Sequence, residues 1–198
     1  MVSLDYVDEL QKLAIEESPN GIPLIFGRDV IHGFKTLFPI PLGLAATWDA
    51  QIVEKSSEIA AFEASAAGIR WTFAPMLDIA RDSRWGRIAE SPGEDTYLAT
   101  ILGEAYVKGF QGDDLSNPHR IAASAKHYIA YGAAIGGRDY NTVNLSEPLL
   151  RNVYLPPFKS AIDAGAATVM SSFNEINGIP ATGNEFLLKD VLRGELQF

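Results

Sequence analysis

The sequence predicts an α/β protein in which short parallel strands alternate with helices. Apolar runs of strand length recur along the chain, and each is followed by a segment with helical spacing of its apolar residues. Continuous apolar strands are typical of parallel strands that are covered on both faces. The connections after the strands are long and those before them are short. This arrangement favours a (β/α) barrel, because barrels carry their functional site on the loops that follow the strands.

In the first half of the chain, turn residues and helix caps set the element boundaries. Pro19-Asn20-Gly21 is a turn signal between the first helix and the first strand. Thr47 and Asp49 are both possible N-caps of the next helix, and Gly68 is its expected stop. The predicted elements are a helix over 4–17, a buried strand over 22–26, a helix over 49–67 and a strand over 69–77.

The second half repeats the pattern with one irregular helix. A helix that ends near Gly112 precedes the third strand, and Asn184 is the expected cap of the last helix. Three prolines interrupt the helix between the third and fourth strands. The predicted elements are a helix over 94–110, a strand over 121–128, a helix over 147–164, a strand over 166–173 and a helix over 185–196.

The number of strands is too small for a closed barrel. A complete eight-fold barrel needs about 250 residues, whereas 198 residues provide four predicted strands. An unclosed barrel would leave unpaired strand edges. We therefore expect about four βα units of a longer protein. A doubly wound open sheet is the alternative, and the lack of a glycine-rich phosphate motif after any strand makes it less favoured.

Composition excludes several classes of function. Sixteen Lys and Arg against twenty-five Asp and Glu give a net charge of −9, which argues against nucleic-acid or anionic membrane partners. The absence of cysteine excludes disulfides and thiolate chemistry. No apolar stretch approaches the roughly 20 residues of a membrane span. The N-terminal segment 1–5 lacks the features of a signal peptide, so the localisation is left unknown.

Polar and aromatic residues follow the carboxyl ends of the four predicted strands. In a barrel they would converge on one mouth, with a carboxylate, guanidinium and ammonium groups, an imidazole and aromatic walls. This mixture suits a neutral ligand with many hydroxyl groups. Each group also has a structural interpretation: a loop cap, a surface cation beside a packed histidine, a solvated ion-pair loop or core filler. The groups are Asp29, the charged segment 81–90, Lys126, His127 and Met170.

Taken together, these segments resemble the N-terminal barrel domain of glycoside hydrolase family 3, and they occur in the family's order. The resemblance covers nearly the whole chain. It is strongest to the bacterial periplasmic β-glucosidases, and the loop motif of the N-acetylglucosaminidase branch does not follow Lys126-His127. The matching segments include IPLIFGRDVIHG (22–33), FPIPLGLAATWD (38–49), FAPMLDIARDSRWGRIAESPGEDTYL (73–98), AKHYIAYG (125–132), NTVNLSEPLLRNVYLPPFKSAIDAGAATVMSSFNEING (141–178) and LLKDVLR (187–193).

The resemblance implies a retaining mechanism for the parent enzyme and a role for several residues of this chain. An aspartate attacks the anomeric carbon while a carboxylic acid protonates the leaving oxygen. Phe173 stands where many members have tyrosine, which removes one hydroxyl but keeps an aromatic wall. The residues implied to bind the sugar in subsite −1 are Asp29, Arg87, Lys126, His127, Met170 and Phe173, with Asp139 supporting them from a neighbouring loop.

The resemblance also implies that both catalytic carboxylates lie outside this chain. The nucleophile is expected shortly past Phe198 and the acid/base in a second domain. Residues 1–198 are therefore expected to form an incomplete barrel domain that also lacks its first strand. We expect a β-glucosidase fragment that is inactive alone, needs no metal or cofactor, binds a β-glucoside and requires the parent or a partner chain to close the barrel. The parent is expected in the periplasm or secreted. A β-xylosidase fragment and a non-catalytic sugar-binding module are the alternatives.

Overall fold

The computed structural model describes residues 4–198 and confirms the α/β class. The first three residues, part of the segment considered for a signal peptide, lie outside the described residues. The helices are α1 (Leu4–Lys12, continued by a π-type turn over Leu13–Glu17), α2 (Pro41–Ala45), α3 (Ala50–Ser65), α4 (Thr96–Gln111), α5 (Glu147–Leu149, continued by a π-type turn over Leu150–Tyr154), α6 (Pro156–Asp163) and the π-type helix α7 (Phe186–Glu195). The strands are β1 (Gly27–Arg28), β2 (Trp71–Thr72), β3 (Ser124–Tyr128), β4 (Thr168–Ser171), β5 (Glu175–Ile176) and β6 (Ile179–Pro180).

The strands β1 to β4 are parallel and follow one another in chain order. β1 pairs with β2, and β3 pairs with β4. Single bridges from Trp71 to Ala122 and from Met76 to Lys126 join the two pairs. The sheets are small, and no barrel closes among residues 4–198.

The buried strand predicted over 22–26 is wrong. The paired strand begins at Gly27, and the side chains of Ile22 and Ile25 are 65% and 63% exposed. The backbone N–H and C=O of Leu24 bond the side-chain amide of Gln11, at 2.8 and 2.6 Å, instead of a neighbouring strand. The apolar run therefore lies along the outside of the molecule.

Caps define the ends of several helices, and those predicted at Asp49, Gly112 and Asn184 are confirmed. The Asp49 carboxylate accepts the backbone N–H groups of Gln51 and Ile52, and Asp95 caps α4 in the same way. Gly112, with φ +57°, ends α4. Asn184 accepts the N–H of Leu187 at the start of α7.

The core lies where α4 packs between α3 and α6 and against the sheet. Gly109 permits the close crossing of α3 and α4, since a Cβ there would collide with the backbone oxygen of Glu54. The side chain of Gln111 joins the end of α4 to two strand starts. Its oxygen accepts the N–H groups of Ala123 and Ala167, both at 2.9 Å, and its amide donates to Gly165 at 2.8 Å.

Candidate functional site

Asp29 and Lys126 meet at the carboxyl ends of β1 and β3. The Lys126 ammonium donates to both Asp29 carboxylate oxygens, at 3.0 and 3.1 Å. The Lys126 side chain is 2% exposed, whereas that of Asp29 is 53% exposed. A buried ammonium requires such a partner, because desolvating an unpaired charge is costly. The half-exposed carboxylate retains oxygen lone pairs that can accept hydrogen bonds from a ligand.

His127 is held by a second carboxylate, that of Asp78. The His127 backbone N–H and the ring Nδ1 both contact Asp78 Oδ2, at 3.1 and 2.8 Å. Both residues are 1% exposed. The β3–β4 register shifts at this point, with Lys126 opposite Met170 and Tyr128 opposite Ser171. This irregularity leaves His127 without a cross-strand partner, as in a β-bulge, which alters the direction of a side chain.

Arg87 and Glu90 form a bidentate ion pair beside these residues. Arg87 Nε and Nη2 donate to the two Glu90 oxygens at 2.7 and 2.8 Å. Burial opposes ionisation of Glu90, but the Arg87 guanidinium outweighs it, and Lys126 and His127 add to it, so the pKa of Glu90 is lowered. The hydrogen bonds to Glu90 raise the pKa of Arg87. Three basic side chains, one from the segment before Glu90 and two from β3, thus act on one carboxylate.

Aromatic rings form one wall of the same region. The Arg87 guanidinium lies over the rings of Tyr131 and Phe173, at 5.6 and 6.0 Å. The His127 ring centroid is 5.3 Å from that of Tyr131 and 5.2 Å from that of Phe173. Phe173 is 53% exposed and Met170 is half-buried on the neighbouring strand. An exposed ring beside charged groups is suited to one apolar face of a polar ligand.

Asp139 supports the aromatic wall and does not bond Lys126 or His127. The indole N–H of Trp85 donates to Asp139 at 3.0 Å, and the Tyr131 hydroxyl donates to the same oxygen. Burial opposes ionisation of Asp139, but the Tyr131 and Trp85 hydrogen bonds lower its pKa. Burial, followed by the bond to Asp139, raises the pKa of Tyr131. Asp139 therefore reaches His127 only through the ring of Tyr131.

The structure brings together all seven residues predicted for the site and adds four more. Glu90 had a usable signal, because it follows Arg87 by three positions in a charged loop. Asp78 directly follows the predicted strand over 69–77, but nothing local indicated its contact with His127, which is 49 residues away in the sequence. The remaining two additions belong to the aromatic wall, and the full set of additions is Asp78, Trp85, Glu90 and Tyr131.

Three further observations concern the described part of the chain. Residues 4–198 contain no group of three or more His, Asp or Glu side chains placed to hold a metal ion. No helix among them is long and apolar enough to cross a membrane. Asp82, an acceptor for the backbone and guanidinium of Arg84, belongs to an exposed ion pair, and these bonds lower its pKa to about 2.

Comparison with known proteins gives one consistent result. The family model described as glycosyl hydrolase family 3 N-terminal domain matches residues 1–198. A periplasmic β-glucosidase of Salmonella typhimurium is 46% identical over 97% of the chain. A β-xylosidase of Formosa agariphila is 37% identical over 90% of the chain. The chain spans about a quarter of the length of these relatives, 25% and 26% respectively.

A solved structure agrees with this result in three dimensions. The β-glucosidase of Listeria innocua in complex with gluconolactone is 49% identical to the chain and superposes with a TM-score of 0.97. The match covers 100% of this chain and 28% of that protein. Sequence and backbone similarity thus extend over the same residues.

Proposed function

The chain belongs to glycosyl hydrolase family 3, and on this premise we propose that it forms part of a retaining β-glucosidase acting on terminal β-D-glucosyl residues. In this proposal its βα units belong to a (β/α) barrel that the rest of the parent or a partner chain completes. The similarity to the Salmonella and Listeria β-glucosidases supports the substrate class. The name of the Salmonella relative supports a periplasmic or secreted parent.

The single observation that carries the proposal is the Asp29–Lys126 pair. Its carboxylate is half-exposed and its ammonium is buried. The ring of the adjacent His127 contacts the ring of Phe173, and the Arg87 guanidinium lies over that same ring. Asp29 would accept hydrogen bonds from two vicinal hydroxyls of the sugar. Lys126 and Arg87 would donate to other hydroxyl oxygens, and Phe173 with Met170 would cover an apolar face of the ring.

The catalytic carboxylates are proposed to lie outside these 198 residues. In the parent, an aspartate would form a bond to the anomeric carbon as the glycosidic bond breaks, and an acid would protonate the departing oxygen. Water would then hydrolyse the covalent intermediate. Without the nucleophile the remaining binding groups cannot form that intermediate, so we expect negligible turnover from the chain alone.

Two alternative functions share the same binding residues. A β-xylosidase is supported by the Formosa relative, and the described site residues would serve either sugar. A non-catalytic module would bind sugar without any parent activity. Comparing hydrolysis of para-nitrophenyl β-D-glucoside and β-D-xyloside by the whole parent enzyme separates the first alternative from the proposal.

The test measures hydrolysis and binding on the same purified chain. We expect no release of nitrophenol from para-nitrophenyl β-D-glucoside above background, together with glucose binding by titration calorimetry. Asp29→Asn should weaken binding about tenfold, the size expected for hydrogen bonds to a charged acceptor. Asp163→Asn is the matched control, because Asp163 is 59% exposed and also pairs with a lysine.

Either of two results would contradict the proposal. Robust hydrolysis that survives contaminant controls would place a working nucleophile inside the chain. Equal glucose affinities for the original chain and Asp29→Asn would remove Asp29 from the site. Binding of glucose by the chain, with no hydrolysis even when the parent's downstream segment is attached, would favour the non-catalytic module.

A further inference from the structure

The Asp78–His127 contact defines which ring nitrogen carries a proton. Asp78 Oδ2 receives the His127 backbone N–H at 3.1 Å, so this oxygen acts as an acceptor. The same oxygen lies 2.8 Å from Nδ1 of the His127 ring. An acceptor oxygen at that distance requires a donor on the ring, which places the proton on Nδ1.

The second ring nitrogen is then left for a ligand. Neither a side chain nor a backbone group of residues 4–198 hydrogen-bonds His127 Nε2, and Nε2 is not among the fully buried atoms that lack a partner. The groups around the ring are the aromatic faces of Tyr131 and Phe173, with the charges of Glu90 and Lys126 close by. In the neutral ring with Nδ1 protonated, Nε2 carries a lone pair.

We propose that Asp78 is a positioning residue that fixes His127 in the Nδ1–H tautomer, so that Nε2 accepts a hydrogen bond from a sugar hydroxyl. This inference rests on the proposed function and makes it more specific. The resemblance implied that Lys126 and His127 both bind the sugar. In the present assignment Lys126 donates and His127 accepts. The ligand must therefore present a free hydroxyl, because an O-methyl group in its place has no proton to give.

Two variants of Asp78 separate the effect of its charge from the effect of its hydrogen bonds to His127. Asp78 Oδ1 is buried and has no hydrogen-bond partner, and an unsatisfied buried carboxylate oxygen is unfavourable. Because a single oxygen makes both contacts with His127, an asparagine with its carbonyl oxygen in that position would keep both bonds. Asp78→Asn thus removes the charge but preserves the acceptor, whereas Asp78→Ala removes both.

The experiment assigns the tautomer by NMR on the full chain with isotopically labelled histidine ring nitrogens. Glucose is the ligand, and affinity is measured by calorimetry. We expect the Nδ1–H tautomer in the unmodified chain and in Asp78→Asn, with glucose affinities within about threefold of each other. Asp78→Ala should change the ring to the Nε2–H tautomer and weaken glucose binding about tenfold, as for one lost hydrogen bond. Asp82→Asn, four positions along the same loop, is the control and should change neither.

Each result decides a separate point. An Nε2–H tautomer or a doubly protonated ring in the unmodified chain at neutral pH would overturn this inference, even if Asp78→Ala fails to fold. Loss of the Nδ1–H tautomer in Asp78→Asn would overturn the acceptor role of the single oxygen. Glucose binding together with an Nε2–H ring would leave the proposed function intact. The Nδ1–H tautomer without glucose binding would overturn the proposed function and the role of Nε2 together.

Discussion

Two arginine–glutamate pairs in this protein have similar hydrogen-bond lengths and different surroundings. Arg87 makes a bidentate contact with Glu90 at 2.7 and 2.8 Å, and Arg151 does so with Glu195 at 2.6 and 2.8 Å. Each guanidinium carbon also lies near an aromatic ring, 5.6 Å from the centroid of Tyr131 and 6.0 Å from that of Phe186. The pairs differ in exposure, with side-chain values of 22% and 28% for the first and 33% and 47% for the second.

The difference shows that location, more than the contact itself, determines what such a pair can do. The Arg87 pair lies beside Lys126 and His127, and its guanidinium also lies over the exposed ring of Phe173. Arg151 joins the turn after α5 to α7 and also bonds Glu147 one helical turn away. We infer that the first pair serves a ligand and the second serves the fold.

The largest expected effect comes from replacing each arginine with lysine. Lysine keeps the charge but loses the planar fork that makes two parallel bonds. Arg87→Lys should weaken glucose binding more than tenfold, whereas Arg151→Lys should leave the affinity unchanged. Titration calorimetry on both variants checks this. Equal losses of affinity would break the comparison, since they would mean that Arg151 affects the site through the fold.

The aromatic residues next to the two arginines should differ in what they contribute, Phe173 to glucose affinity and Phe186 to stability. Phe173 is 53% exposed and Phe186 is 37% exposed. Phe173→Ala should reduce glucose affinity several-fold with little change in stability. Phe186→Ala should cost about 2 kcal/mol of unfolding free energy, because more of its ring is buried, and it should leave affinity unchanged. Urea unfolding and calorimetry on both variants distinguish these outcomes, and a destabilised Phe173→Ala would contradict the assignment.

The smallest expected effect is the dependence of each pair on pH and salt. The pKa of Glu90 is lowered despite burial by the Arg87 guanidinium, and that of Glu195 is lowered by the Arg151 hydrogen bonds. A carboxyl whose pKa is lowered by folding stabilises the protein above its unfolded pKa, about 4.3, and loses this contribution as the pH falls through the folded pKa.

Glu90→Gln and Glu195→Gln should therefore flatten the acid limb of the stability curve. The effect of Glu195→Gln should shrink more between low salt and about 1 M salt, since exposed pairs are screened more strongly. Urea unfolding from neutral pH to below the usual carboxyl range, at both salt concentrations, measures the two effects. Equal salt sensitivity would show that the two sites are equally solvated.

The sequence was informative about features determined by neighbouring residues. Helix caps such as Asp49 and Asn184 act within one turn, and the structure confirms them. The buried strand predicted over 22–26 was wrong because an apolar run does not reveal whether a neighbouring strand is present to pair with it. The hairpin of β5 and β6 was missed, although Asn177-Gly178 at its turn, with φ values of 52° and 86°, is a usual hairpin signal.

The sequence selected candidate site residues but did not indicate the contacts that hold them. Motif similarity selected Asp29, Arg87 and Lys126, and the structure brings them to the same region. The partners that hold the selected residues come from distant parts of the chain, as Asp78 does for His127. Such contacts depend on the packing of whole loops, which no local pattern encodes.

The amide of Gln111 has a consequence for how the molecule opens. Its three hydrogen bonds reach backbone groups 12, 54 and 56 residues away. They therefore form only when distant segments of the chain are packed together. The segments that lead into β3 and β4 bond the same side-chain oxygen, so displacement of the Gln111 side chain releases both of them together. Fluctuations that expose these backbone amides to hydrogen exchange are therefore cooperative events that involve both strands and the helix.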